Sequence, residues 1–100
     1  MITYSVYVLP SAWEEIRALP GDMRQRVRRV IRELKGTPRP SESKPLEYGY
    51  VPYELRRIRL DRWRVIYAIH EDDAVIDIIA VRKRPPYDYG DLSQLLTQLS

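Results

Sequence analysis

Apolar and polar positions alternate with period two along Thr3-Tyr4-Ser5-Val6-Tyr7-Val8-Leu9. This run, rich in β-branched and aromatic residues, predicts a strand that Pro10 stops. The period then lengthens. Ala12, Ile16 and Leu19 fall on one helical stripe, and Met23, Val27, Val30, Ile31 and Leu34 on a second. Pro20-Gly21 separates the stripes, and Gly36 with Pro38 ends the second, so the two form a helical hairpin. Ser11-Ala12-Trp13-Glu14 has the form of a capping box, and Asp22 is placed to cap the second helix. Trp13 and Trp63 are expected in the core or against a helix, where tryptophan most often packs.

Residues 37–53 carry Pro38, Pro40, Pro45, Pro52, Gly49 and several serines, and predict an irregular, exposed connection. It is long for a compact domain, a mild hint of function. Period two returns over roughly 54–60, 63–70 and 74–84, with turns at Asp61-Arg62 and Glu71-Asp72-Asp73. Leu92, Leu95, Leu96 and Leu99 share a stripe within a short helix from Asp91 to Ser100, docked on the sheet or able to swing away to admit a partner. The order β-α-α-β-β-β-α predicts an α+β fold. It has an antiparallel sheet of about four strands, the helical hairpin on one face, and a short C-terminal helix.

One hundred residues predict a single domain over 1–100. No apolar run approaches the eighteen or so residues of a membrane span, and the first residues lack the basic-then-apolar order of a signal peptide. Cysteine is absent, which excludes disulfides and thiolate metal sites. A cytoplasmic protein without cofactor, metal or membrane partner is expected. The net charge is only +3, but residues 21–64 hold most of the Lys and Arg while 71–100 lean acidic. That asymmetry points to an anionic partner for one face, or for the helix alone to a solvated surface.

Pairing parity sharpens the picture. With the turn centred between Asp61 and Arg62, Leu60 lies opposite Trp63, Ile58 opposite Val65 and Arg56 opposite Tyr67, on the face that receives the helices. The other face pairs Arg59 with Arg64 and sets Arg57 opposite Ile66. A three-residue loop at 71–73 would add Ile76, Ile78, Ala80, Arg82 and Arg84 to this second face, with Ala80 near Arg64 and Tyr87 just past the sheet. No carboxylate falls among these positions by parity. Like charges facing each other across a ladder cost about 0.2–1 kcal/mol per pair, so the pattern favours an anionic ligand over a merely soluble surface. Guanidinium groups bind phosphate bidentately and stack on bases, and tyrosine adds a phenol and a stacking face. His70 is six residues from Arg64 along one strand, about 20 Å away at ~3.3 Å per residue, and is excluded from the patch.

The same residues carry a resemblance. Arg59-Leu60, Arg62-Trp63-Arg64-Val65-Ile66-Tyr67 and Val81-Arg82-Lys83-Arg84 followed by Tyr87 resemble the RelE/ParE toxin superfamily, and the element order, the Leu19-Pro20 break and Lys44-Pro45-Leu46 fit it too. The resemblance implies a ribosome-dependent mRNA endonuclease, the toxin of a type II toxin–antitoxin pair. Its partners would be a small acidic antitoxin, mRNA in the ribosomal A site, and rRNA. By position it implies catalytic roles for Arg59, Arg64, Arg84 and Tyr87, and RNA contacts for Arg57, Arg82, Lys83 and Tyr89. The Pro85-Pro86 pair alters the spacing to Tyr87 and makes Tyr89 its rival. RNA-cleaving members often have lysine where this chain has Arg57 and Arg59, and arginine cannot readily exchange a proton. Glu42 or Glu47 could supply a carboxylate base, as in some relatives. The rival functions are a ParE-like DNA gyrase poison without nuclease activity and a solitary, inactive RNA- or partner-binding relative.

Overall fold

The structure is a computed structural model that describes residues 3–47, 51–83 and 92–99. Its elements, in chain order, are β1 (Ser5–Val8), α1 (Pro10–Arg17), α2 (Gly21–Leu34), β2 (Ser43–Pro45), β3 (Glu54–Leu60), β4 (Trp63–His70), β5 (Val75–Lys83) and α3 (Leu92–Leu96). The strands form one five-stranded sheet in the order β1-β5-β4-β3-β2. Four strands match those expected, and β2 is the addition. It lies within the proline-rich connection and pairs antiparallel with β3, Ser43 opposite Ile58 and Pro45 opposite Arg56. A three-residue strand ending on proline leaves too short an alternation to see in sequence, and proline suits an edge because it donates nothing to a ladder. β1 pairs with β5 in parallel, the chain crossing over through α1 and α2.

The helical hairpin covers one sheet face. Ala12, Ile16, Leu19, Met23, Val27 and Leu34 meet Ile58, Val65, Tyr67, Ile69, Ile76 and Ile78 in the larger core. Each large side chain so buried contributes roughly 1.5–3 kcal/mol relative to exposure. On the opposite face a smaller core joins Leu55, Ile66, Ala68, Ile79 and Ala80 to Leu95 of α3. The sheet is therefore sandwiched, with α1 and α2 on one side and α3 on the other. Among the described residues no helix is long and apolar enough to cross a membrane.

Local details differ from the sequence expectations. Helix α1 starts at Pro10, a favoured first residue because its missing N–H would be unsatisfied there anyway, and its N-cap is Leu9 without a side-chain hydrogen bond. The Ser11 hydroxyl is buried and does not cap. Asp22 likewise sits in the first turn of α2 rather than capping it, the N-cap being Pro20. Trp13 is 45% exposed rather than buried, whereas Trp63 packs against the larger core.

The β4–β5 connection holds four residues, His70 pairing with Val75, and Ala74 takes a left-handed φ of 53°. An alanine at positive φ breaks the usual turn chemistry and reads in sequence as the start of a strand. The even-length loop turns Ile76 and Ile78 toward the hairpin helices, opposite Ile69 and Tyr67, not toward the arginines as expected. A β-bulge then inserts Ile79, and alternation resumes with Ala80 opposite Ile66 and Arg82 opposite Arg64. Loop and bulge each shift the register by one residue, so Ala80 and Arg82 return to the expected face. Ala80 is two positions from the place expected beside Arg64.

Candidate nucleic-acid interface

The β3–β4 turn sets the site. Asp61 takes a left-handed φ of 55° at the first loop position, which aspartate tolerates better than most residues. Strict two-residue closure gives the register Leu60–Trp63, Arg59–Arg64, Ile58–Val65, Arg57–Ile66, Arg56–Tyr67. Because β5 sets Arg82 against Arg64, Arg59, Arg64 and Arg82 form a row running across three strands. The neighbouring row is Lys44, Arg57, Ile66 and Ala80 across β2 to β5. Directly opposed Cβ atoms lie about 4.5–5.5 Å apart, close enough for adjacent guanidinium groups to share one phosphate.

These side chains occupy different environments. Arg64 is buried, 7% exposed, and engaged in interactions of its own. Arg57 is half-buried and Arg59 exposed, and no described carboxylate lies within 4 Å of either. Arg82 meets Glu15 of α1, its Nε donating to Oε2 at 3.0 Å, while the Val81 N–H donates to Oε1 at 2.9 Å. Sheet parity finds no carboxylate here because Glu15 arrives from a helix, around the open rim of β5. The floor beside the row is apolar: Ile66 and Ala80 lie in the smaller core that Leu95 covers.

Lys83 pairs with Trp63 and so projects on the hairpin side, outside the row. Arg84, Tyr87 and Tyr89 lie outside the described residues. Lys44 joins the patch beside Arg57, a place that the sequence hides because the proline-rich run 37–53 reads as loop. Besides the family likeness of Lys44-Pro45-Leu46, its local signal is the alternation of Ser43, 6% exposed on the hairpin side, with the exposed Lys44. Glu42 lines a cavity with Val30, Glu33 and Leu34 on the α2 side, and Glu47 is exposed with no hydrogen bond to the row. Neither is brought to the arginines. The exposed Arg24, Arg28, Arg29 and Arg32 of α2 belong to the hairpin layer, so the basic charge falls on two sides of the sheet rather than one.

His70 shares the face of Arg64 by strand alternation but stands at the far end. There its Nε2 lies 2.9 Å from Asp77 Oδ2 and its ring is 5.1 Å from that of Tyr53. Burial, with the Asp77 charge second, raises the Tyr53 phenol above its ordinary value. A cleft of about 530 Å³ opens there, lined by Tyr53, Glu54, His70 and three acidic turn residues. Its acidic rim suits an anion poorly, whereas guanidinium groups of the kind gathered at the arginine end suit one. Among the described residues no group of His, Asp or Glu could hold a metal ion.

Known proteins share this fold. Residues 6–85 match the family model described as the ParE toxin of the type II toxin–antitoxin system parDE. A chain of the archaeal RelE–RelB complex from Pyrococcus horikoshii OT3 is similar at 30% identity, covering 85% of this chain and 99% of its own, with a TM-score of 0.75. A chain of a Mycobacterium tuberculosis RelBE toxin–antitoxin complex is 22% identical over 84% of this chain and 94% of its own, with a TM-score of 0.68. A free E. coli RelE toxin variant is 19% identical over 99% of this chain and all of its own, with a TM-score of 0.70. The last two likenesses speak for the fold alone. No curated protein matches in sequence. With the family model spanning most of the chain and an archaeal RelE–RelB chain at 30% identity, this protein belongs to the ParE toxin family of type II toxin–antitoxin systems, within the RelE/ParE superfamily.

Proposed function

We propose that the arginine face cleaves RNA and that the protein is a ribosome-dependent mRNA endonuclease. In the proposed reaction the ribose 2′-oxygen attacks the adjacent phosphorus and the bond to the next nucleotide's 5′-oxygen breaks. The products are a 2′,3′-cyclic phosphate and a free 5′-hydroxyl, one proton leaving the nucleophile and one reaching the leaving oxygen. The observation that carries this reading is the cross-strand row Arg59–Arg64–Arg82 with Arg57 beside it. Arg64 and Arg59 neutralise the charge that grows on the phosphorane, the largest electrostatic demand of the reaction. Arg57 and Arg82 hold the flanking backbone. Tyr87, or its rival Tyr89, orients or deprotonates the 2′-hydroxyl, and Arg84 serves the 5′-oxygen.

The partners proposed are mRNA in the ribosomal A site, rRNA and a small acidic antitoxin, within the cytoplasm. The archaeal relative is a chain of a RelE–RelB complex, which supports the antitoxin. A second reading has its own support, since the matching family model is that of ParE toxin: a DNA gyrase poison that leaves RNA intact. In a purified translation system the wild type is expected to cut translated message, leaving 5′-hydroxyl ends, and Arg64→Ala to lose at least 100-fold in rate. Intact message together with trapped gyrase–DNA breaks would establish the second reading instead.

A further inference from the structure

We infer that Glu15 is a positioning residue for the arginine row, acting through Arg82. The inference rests on the row being the working surface. β1 ends at Val8, whose partner on β5 is Ile78, so the β5 edge beyond it lacks a neighbouring strand. A bare edge leaves backbone N–H groups without ladder partners and lets a strand end fray. Glu15 stands on α1 beside the fully buried Ile16, and its carboxylate closes this edge at two points. One oxygen accepts the Val81 N–H at 2.9 Å and the other accepts Arg82 Nε at 3.0 Å.

One anion thus fixes both the backbone at the end of β5 and the side chain that faces Arg64. Glu15 and Arg82 are each 28% exposed, enough desolvation for the pair to hold its geometry. The contact uses Nε, on the stem side of the guanidinium, and so constrains the plane of the group. That plane matters because a planar guanidinium recognises phosphate in a fork of fixed geometry. The pair also relieves crowding, because Arg82 faces Arg64, which already faces Arg59. A shallow cavity of about 270 Å³, lined by Glu15, Ala18, Trp63, Val81, Arg82 and Lys83, adjoins the pair and leaves room for isosteric replacement.

A double-mutant cycle on Glu15→Gln and Arg82→Ala tests the assignment. The glutamine keeps a carbonyl oxygen for Val81 N–H but turns an amide donor toward Arg82. Each single variant is expected to lose on the order of 10-fold in message cleavage with the melting temperature of Glu15→Gln unchanged, and the double variant to be no worse than Arg82→Ala. Losses that multiply in the double variant would overturn the inference, since Glu15 would then act independently of Arg82. Faster cleavage by Glu15→Gln would also overturn it, marking the carboxylate as a shield. So would an activity loss that tracks a fall in melting temperature. If the wild type arrests growth without cutting message, the nuclease reading fails, and the same cycle measured on growth arrest still decides the role of Glu15.

Discussion

Arg56 and Arg57 are adjacent in the chain and have opposite fates. Arg56 points to the hairpin side, where its Nη1 donates to Glu54 at 2.7 Å and its Nε to the Ser43 hydroxyl at 3.0 Å, with a side chain only 12% exposed. Glu54 in turn accepts from Arg39, which also reaches Glu71, and Glu71 accepts from the Tyr4 hydroxyl. Burial raises the Tyr67 phenol, whose hydroxyl donates to the Pro38 carbonyl beside this network. Arg57 points the other way and finds Lys44 and Ile66 as strand neighbours, with no described carboxylate at hand. The same residue type neutralises one of the fold's own acids at position 56 and has no described carboxylate beside it at position 57. Period-two alternation alone decides which.

Substitution should separate the two roles. Arg59→Ala removes an exposed side chain that faces Arg64. It is expected to lose about 100-fold in cleavage with melting temperature unchanged or slightly raised, because a like-charged cross-strand pair disappears. Arg56→Ala should show the converse. Losing charge-assisted bonds in a nearly buried network is expected to destabilise by about 2 kcal/mol, on the order of 10 °C in Tm, with the folded fraction keeping its activity. If Arg59→Ala melts early and Arg56→Ala does not, the division between the faces is wrong.

How much of this division was legible beforehand follows from where each residue lies. The pairing of Arg59 with Arg64 was readable because a two-residue turn admits one register, and every downstream side chain inherits its parity. Arg82 reached its expected face only because two departures cancelled: Ala74 in a left-handed turn and Ile79 in a bulge. Neither residue advertises itself, since both are ordinary in a strand. The contact of Glu15 with Arg82 spans 67 positions and depends on how α1 settles on the sheet, which alternation does not encode. Lys44 was hidden by proline-rich surroundings that read as loop.

The charged network on the hairpin side should also respond to acid. Its hydrogen bonds from Arg39 hold the Glu54 and Glu71 carboxyls below their ordinary values, with Arg56 assisting at Glu54 and Tyr4 at Glu71. A lowered folded pKa means stability that is fully present above the unfolded value, about 4.3, and lost as pH falls through the folded one. Both carboxylates are partly or well exposed, so solvent screening keeps the effect modest. Melting temperature is expected to be flat from neutrality to about pH 5 and to fall below about pH 4. Arg39→Ala should shallow that fall, whereas Arg57→Ala should leave it unaltered. A shallower fall in Arg57→Ala would mean that the arginine face shares in the acid response.

The finest test of the comparison lies at the sheet edge. Lys44 is exposed on β2 and pairs with Arg57, one strand out from Arg59 and two from Arg64. Strands stand about 4.8 Å apart and residues two apart on a strand about 6.6 Å apart, which places Lys44 roughly 11–12 Å from Arg64. That is too far for the phosphate attacked in the proposed reaction and suits a flanking one. A flanking contact binds ground state and transition state alike, so its loss raises KM and leaves kcat untouched. Lys44→Ala is therefore expected to raise KM several-fold, about 1 kcal/mol of binding, and to reduce the salt dependence of RNA binding by about one counterion. Lys44→Arg should restore both, because a fixed positive charge suffices for this role. If Lys44→Arg instead lowers kcat and alters the pH–rate profile, the amine is moving a proton, and the edge of the patch belongs to the chemistry rather than to binding.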